Sequence, residues 1–292
     1  MEIIKKYNLI WLASYPKSGN TWLRIFLTTL LSNDSYLDLN HLKFSEINSD
    51  ASFFKKFYKK DITNFSPEAL EKARANLLYF FAQTHEGHLF IKTHELFGYS
   101  PFTSKPLLNI TLPTAAIYIV RNPMDIAVSF SRYLGISVDD ILENYLCNPN
   151  AVIHTKSHFP RPLGSWSQHL QSWKIQTYFP VLFVCFEDLK EKPLETFKKI
   201  IDFIGIVKNK TEIKNAVLAT DFNKLKTMEA KYGFSEKILP TVPFFYKGES
   251  GQWKNTLTVG QINKIIASNK DMMKEYSYLV DPQKVCLGDL SN

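Results

Sequence analysis

Apolar residues in this chain fall in short runs that stop at polar, Gly or Pro residues, and longer segments with helical spacing follow several of them. Asn8–Ala13 reads as a buried strand, followed by a loop and then by a helix from about Thr21 to Leu31. Leu89–Lys92 and Ala115–Val120 read as further core strands, and the stretch from Met124 to Tyr133 reads as a helix. Val181–Phe186 is another strand, with a helix from Pro193 to Ile204 behind it. Caps mark two more helices. Ser66, with Pro67 and Glu68 after it, opens a segment that runs to Ala82, and Thr258 with Gln261 forms a capping box before the last amphipathic stretch. Residues 40–65 and 147–163 have weak periodicity and read as loops. Strands alternating with helices predict an α/β fold, a central parallel sheet flanked by helices on both faces. No repeat, low-complexity tract or linker interrupts the chain, so residues 1–292 read as a single domain.

Ligands of an open α/β sheet collect at the carboxyl ends of its strands, which singles out the residues just after each strand. After the first comes Tyr15-Pro16-Lys17-Ser18-Gly19-Asn20-Thr21-Trp22. Gly19 permits close backbone approach, and the N–H groups of Ser18 to Thr21 would point at an anion from a helix N-terminus. Lys17 adds a full charge, and Ser18, Asn20 and Thr21 add side-chain donors. The ordinary alternative is an N-capped turn with a solvated Lys17. Lys, Ser, Gly and Thr gathered at this place favour a P-loop-like phosphate-binding loop instead. It is not a Walker A loop, because Lys17 precedes the glycine and the earlier glycine of that pattern is missing. A magnesium-dependent NTPase also needs an acidic residue at a strand end, and Ala115–Val120 runs into Arg121. The expectation is a phosphate site built from positive charge, without a metal.

Other strand ends add chemistry. Arg121 can fork onto a phosphate, and Ser129, about two turns into the following helix, can donate from the adjacent face. Either residue alone would more commonly be a surface group; on the same sheet edge as the first loop they read as a second phosphate site. Lys92 and His94 alternate onto one side of their strand end, about 7 Å apart. That pair suits group transfer: the Lys offsets charge on a leaving oxygen, and the His accepts the nucleophile's proton. His41, His85, His88, His154, His158 and His169 read as ordinary structural or surface groups. The polar segment from Tyr246 to Asn255 reads as a lid that carries Lys247 to an anion and docks through Trp253.

Composition narrows the partners. There are 35 Lys and Arg against 28 Asp and Glu, a net charge of +7, which favours an anionic ligand. The charge is dispersed and forms no basic tract, so nucleic acid is not the expected partner. Cys147, Cys185 and Cys286 are far apart and lack metal-type spacing, which suits a reducing compartment. The N-terminal stretch lacks the apolar core and cleavage site of a signal peptide, and no run reaches the roughly 20 apolar residues of a membrane span. A cytoplasmic protein without a membrane partner is expected.

Together these segments resemble the cytosolic sulfotransferase family, whose donor is 3′-phosphoadenosine 5′-phosphosulfate (PAPS). YPKSGNTW is similar to that family's 5′-phosphosulfate loop, with Asn20 where Thr is usual. KTH at Lys92–His94 is similar to the segment carrying its catalytic Lys and His, and IVRNPMDIAVSF to its 3′-phosphate segment. GSWSQHLQSW (Gly164–Trp173), VCFEDLKEKP (Val184–Pro193) and KGESGQWKN recur at matching places, so the likeness runs from the first strand to about Leu279. It implies that Lys17, Ser18, Gly19, Asn20, Thr21 and Trp22 hold the 5′ end and adenine. Arg121, Ser129, Lys247 and Gly248 would hold the 3′-phosphate, with Thr220 and Phe222 against adenine. His94 would be the base, and Lys92 and Lys17 would stabilise a group transferred in line without a metal, leaving 3′-phosphoadenosine 5′-phosphate (PAP).

Some positions depart from the family pattern. Phe186 stands where a Tyr usually hydrogen-bonds adenine, Tyr246 where an Arg usually precedes Lys247-Gly248, and Gln252 where an Asp is usual. Lys254, Thr258 and Val259 fit the family's short dimer motif, but Asn263 replaces its closing Glu, so monomer and homodimer both stay open.

Two other functions compete. A P-loop nucleotide kinase-like phosphotransferase would want the acidic metal ligand that is missing after Val120. A non-catalytic nucleotide-binding module would have little use for Lys17, Lys92 and His94. The acceptor is expected to be a small molecule taken on a hydroxyl or an amine, in a pocket formed by residues 40–65, 137–163 and 232–246. Phe53, Phe54, Phe57, Phe244 and Phe245 there read either as pocket or as core. Asp139, Asp140 and Glu143 read either as a site for a cationic acceptor or as a solvated helix start.

Overall fold

The apolar runs become strands. The computed structural model describes residues 7–32, 37–42, 51–59, 65–99, 104, 106–108, 113–155 and 158–281. Its strands are β1 (Leu9–Ser14), β2 (Leu89–Thr93), β3 (Thr114–Val120), β4 (Val152–Thr155), β5 (His158–Pro162) and β6 (Val181–Cys185). Four of them form one parallel sheet in the order β2-β1-β3-β6, with Leu12 opposite both Lys92 and Ile117. The helices are α1 (Asn20–Leu31), α2 (Ala51–Tyr58), α3 (Pro67–Thr84), α4 (Pro123–Leu134), α5 (Val138–Ile141) and α6 (Trp166–Ile175). They continue with α7 (Phe186–Glu191), α8 (Pro193–Ile204), α9 (Lys210–Ala219), α10 (Phe222–Tyr232) and α11 (Val259–Glu275).

Both faces of the sheet are covered, which is why β1 is apolar without alternation. Ile10 and Leu12 pack with Phe26, Phe197 and Ile213, from α1, α8 and α9. Trp11 and Ala13 face the other way, among residues of α3, α4, α6 and α11. Caps set the helix starts: Ser66 accepts from the Ala69 N–H before α3, Asn122 from the Met124 N–H before α4, and Thr258 with Gln261 closes a capping box before α11. Among the described residues no helix is long and apolar enough to cross a membrane.

Strand order creates the crevice. The chain leaves β1 for β2 on one side and returns to β3 on the other, and such a reversal leaves a gap over the carboxyl ends of the two central strands. The loops after β1 and β3 therefore face each other there.

Three expectations are corrected. Within residues 40–65, Ala51–Tyr58 is helical, because Phe54 and Phe57 spaced by one turn pack against Leu77 and Phe81 of α3. Within 147–163 lies the antiparallel hairpin β4–β5, in which Phe159, Arg161 and Leu163 turn inward while Pro160 and Pro162 mask the strand pattern. The strand expected to include Phe186 ends at Cys185, and Phe186 opens α7. Residues 43–50, 60–64 and 156–157 of the expected acceptor loops, and the side chain of Phe53, lie outside the described residues.

Candidate active site

The carboxyl ends of β1, β2 and β3 open on a cavity of about 550 Å³. The loop after β1 forms one wall. Gly19 caps α1 at φ 104°, and a Cβ there would come 2.6 Å from the Phe186 ring, so only glycine lets the loop pass. Lys17, also at positive φ, places Nζ 3.9 Å from the centre of the Tyr133 ring and 4.1 Å from that of Phe244. Burial, with the charges of Arg121 and Lys92 nearby, pulls the Lys17 pKa down to about 7. The Asn20 amide donates to the Leu12 carbonyl at 2.8 Å and to Ser14 Oγ at 3.3 Å. Trp22 Nε1 donates to the Thr220 carbonyl at 3.0 Å, holding the indole at the cavity wall.

At the end of β2, Lys92 and His94 line the same cavity. His94 Nδ1 lies 2.8 Å from the Ser14 carbonyl oxygen. A carbonyl only accepts, so Nδ1 carries the proton and Nε2 the lone pair. The His94 backbone is held too. His169 Nε2 donates to the His94 carbonyl at 3.1 Å while its Nδ1 accepts from the Tyr118 hydroxyl at 2.8 Å. Complete burial pushes the His169 pKa down to about 3, so it stays neutral.

Arg121, buried at the end of β3, donates to the Lys17 carbonyl at 2.8 Å and to the Glu249 carbonyl at 3.2 Å, bridging the loop and the lid. Its guanidinium lies 4.3 Å from the centre of the Phe186 ring. The lid is stapled to α4, where the Asp125 carboxylate accepts from the Gly251 and Trp253 N–H groups at 2.7 and 3.3 Å. Trp253 is buried below it, as its docking role required. Gly248, at φ 62°, passes so close to Phe222 that a Cβ would come within 2.3 Å of the ring.

The fold thus brings Lys17, Gly19, Asn20, Thr21 and Trp22 together with Lys92, His94, Arg121 and Ser129. Phe186, Phe222, Tyr246, Lys247 and Gly248 complete the wall. Ser18 and Thr220 stand behind it. Ser18 is fully buried under the loop, and the Thr220 hydroxyl donates to the Ala216 carbonyl at 2.9 Å. Of the acceptor candidates, Phe244 and Phe245 line the cavity, whereas Phe54 and Phe57 belong to a separate core beside α3. Asp139 meets Gln261, Asp140 caps α5 with Ser137, and Glu143 pairs with Lys264, all exposed and outside the lining. These acids are a solvated helix start.

Sequence reasoning missed Glu236, Arg24 and Arg132 in the wall. Glu236 pairs with the buried Arg24 at 2.5 Å, accepts from Thr21 Oγ1 at 3.3 Å and lies 3.8 Å from Lys92 Nζ. No periodicity marks it, because it sits in an irregular segment after α10. Arg132 lies one turn beyond Ser129 on α4, and that spacing was a usable signal.

The chemistry of the wall fits an anionic nucleotide. Ser18 Oγ and Arg121 Nε are buried without a hydrogen-bond partner among the described residues, two glycines keep the backbone close to the cavity, and Glu236 is the one acid among the described lining residues, against cations that include Lys17, Arg24, Lys92, Arg121 and Lys247. Phe186, Phe222 and Trp22 supply flat apolar surface for a base.

The chain is similar to known proteins over most of its length. The chain is 26% identical over 280 residues to sulfotransferase 1A1 of Rattus norvegicus, covering 91% of this chain and 85% of that protein. It is 27% identical over 276 residues to flavonol 3-sulfotransferase of Flaveria bidentis, covering 88% and 79%. Among solved structures, mouse sulfotransferase SULT7A1 complexed with PAP superposes with a TM-score of 0.56 at 23% identity, over 92% of this chain and 88% of that one. Retinol dehydratase in complex with androsterone and PAP gives 0.59 at 18% identity, over 94% and 83%. The sequence pattern of the sulfotransferase domain matches residues 8–277. That match spans every segment around the cavity from β1 to the end of α11, and the chain belongs to the sulfotransferase family.

Proposed function

We propose that this protein transfers a sulfuryl group from PAPS to a hydroxyl or amine of a small-molecule acceptor, with His94 as the general base. The observation that carries the reading is the fixed tautomer of His94, with Nδ1–H on the Ser14 carbonyl, in one cavity with Lys92 and Lys17. When bound, the nucleotide supplies an activated sulfuryl group on its 5′-phosphate. His94 Nε2 then takes the acceptor's proton, while Lys92 and Lys17 lend positive charge where the leaving oxygen gains negative charge. Tyr133 and Phe244 flank the Lys17 ammonium and keep water from it. The nucleotide is held by Lys17, Ser18, Gly19, Asn20, Thr21 and Trp22 at its 5′ end. Arg121, Ser129, Lys247 and Gly248 hold the 3′-phosphate, and Phe186, Phe222 and the Trp22–Thr220 pair stand at adenine. The aromatic lining from Tyr133, Tyr145 and Phe244 supports a flat, phenol-like acceptor.

The whole chain works as one domain, in the cytoplasm, as a monomer or a homodimer. Cys147 and Cys185 are free thiols, in keeping with a reducing compartment. Labelled PAPS incubated with the protein and a panel of phenols, alcohols and amines, with and without EDTA, tests the proposal. Transfer of label that persists in EDTA is expected. Strict dependence on a divalent ion, or no transfer from a protein that also fails to bind PAP, would overturn it.

A further inference from the structure

Arg132 lies one turn beyond Ser129 on α4, so the two side chains share a helix face, and both line the cavity. Its guanidinium carbon is 3.9 Å from the centre of the Tyr246 ring, and Lys247 Nζ is 5.9 Å from the same ring. Tyr246 is therefore an aromatic platform with two cations near its ring. Stacking engages the face of a guanidinium and leaves its in-plane N–H donors for an anion. Tyr246 is part of the lid, so the platform places Arg132 at the lid end of the cavity, beside Ser129 and Lys247. Its charge is also felt at Lys17 and Arg121, where it helps to hold both pKa values down. Cations brought this close repel one another; Glu236 offsets part of that charge at Lys17, Asp125 and Glu187 part of it at Arg121, and a bound anion would offset more.

We infer that Arg132 is a further nucleotide-binding residue, donating from α4 to the 3′-phosphate alongside Arg121, Ser129 and Lys247, with its plane set by Tyr246. The inference rests on the PAPS reading above. It relocates charge: the lid presents an aromatic ring at position 246, and the helix beneath provides the guanidinium.

Titration calorimetry with adenosine 3′,5′-bisphosphate and adenosine 5′-monophosphate separates the outcomes. Arg132→Met should weaken the bisphosphate about tenfold or more and change the monophosphate by less than about twofold, as for a lost charged donor to one phosphate. Retained monophosphate binding also shows that the variant's cavity is folded. Should Arg132→Met not fold, Arg132→Lys carries the same comparison, with a smaller selective loss expected. Equal losses for both nucleotides, or none for either, would overturn the assignment. A wild-type protein that binds neither nucleotide would overturn the PAPS reading itself, a result distinct from an unselective Arg132 variant.

Discussion

Glu236 meets Arg24 at 2.5 Å, and the two residues come from segments 212 positions apart in sequence. The pair fastens the irregular chain after α10 onto α1, one turn behind the phosphate loop. Its guanidinium end is 3% exposed and its carboxylate end 28%. Removing the carboxylate leaves a buried charge with less compensation, so Glu236→Ala should cost about 1–3 kcal/mol of stability. It should also raise the acceptor KM more than the donor KM, since the loosened segment carries Phe244 and Phe245. Urea unfolding and steady-state kinetics on one variant check both; an unchanged unfolding midpoint would show that the pair contributes nothing.

His94→Ala should lose turnover by roughly 100-fold or more, the scale of a general base. Affinity for PAP should stay near wild type, because in this reading the phosphate loop, Arg121 and Ser129 hold the nucleotide and His94 acts on the acceptor. Calorimetry beside a transfer assay separates the two effects. Near-normal turnover in the folded variant would remove His94 from the chemistry.

Lys17 sets a pH dependence. Its folded pKa of about 7 lies below the ordinary 10.5, so between those values the unfolded chain binds the proton that the folded chain has released. Stability attributable to Lys17 therefore rises with pH across that window, and below pH 7 the penalty of a buried charge is fully present. The stability of Lys17→Met should climb less steeply than wild type from pH 7 upward. Nucleotide affinity has the opposite slope in the wild type, because an anion prefers the charged lysine; it should fall as pH rises above 7. Parallel stability profiles for the two proteins would contradict the assignment.

Gly248→Ala combines two faults. The residue sits at φ 62°, and the new Cβ would meet the Phe222 ring at 2.3 Å. A left-handed alanine costs about 1–2 kcal/mol before any clash. The variant should weaken PAP binding by displacing Phe222 or the lid, while Gly87→Ala, also at positive φ but with none of the described residues near its Cβ, should leave binding unaffected. Unaltered PAP affinity in Gly248→Ala would place Gly248 outside the nucleotide contact.

Much of the site was legible because its chemistry is local. A phosphate loop is a strand end, a glycine and a helix start in unbroken succession, and Lys92 and His94 are two residues apart on one strand. Arg121 and Ser129 follow the same logic across the start of α4. The hairpin β4–β5 escaped notice because its two prolines hide the alternation, and α2 because its apolar stripe is short and interrupted by lysines.

The four strands of the central sheet, the helices that follow them, the caps and the order of charged strand ends thus follow from side-chain periodicity and backbone preference, which act over a few residues. Strand order, which sets Lys17 across from Arg121, does not. Neither do the Arg24–Glu236 pair, the aromatic flank of Lys17, the Tyr246 platform under Arg132, or the withdrawal of Thr220 behind Trp22. Each of these joins side chains distant in sequence at one edge of the sheet, and which of them meet is decided by how the covering helices pack and by how buried charges find partners, not by any local pattern.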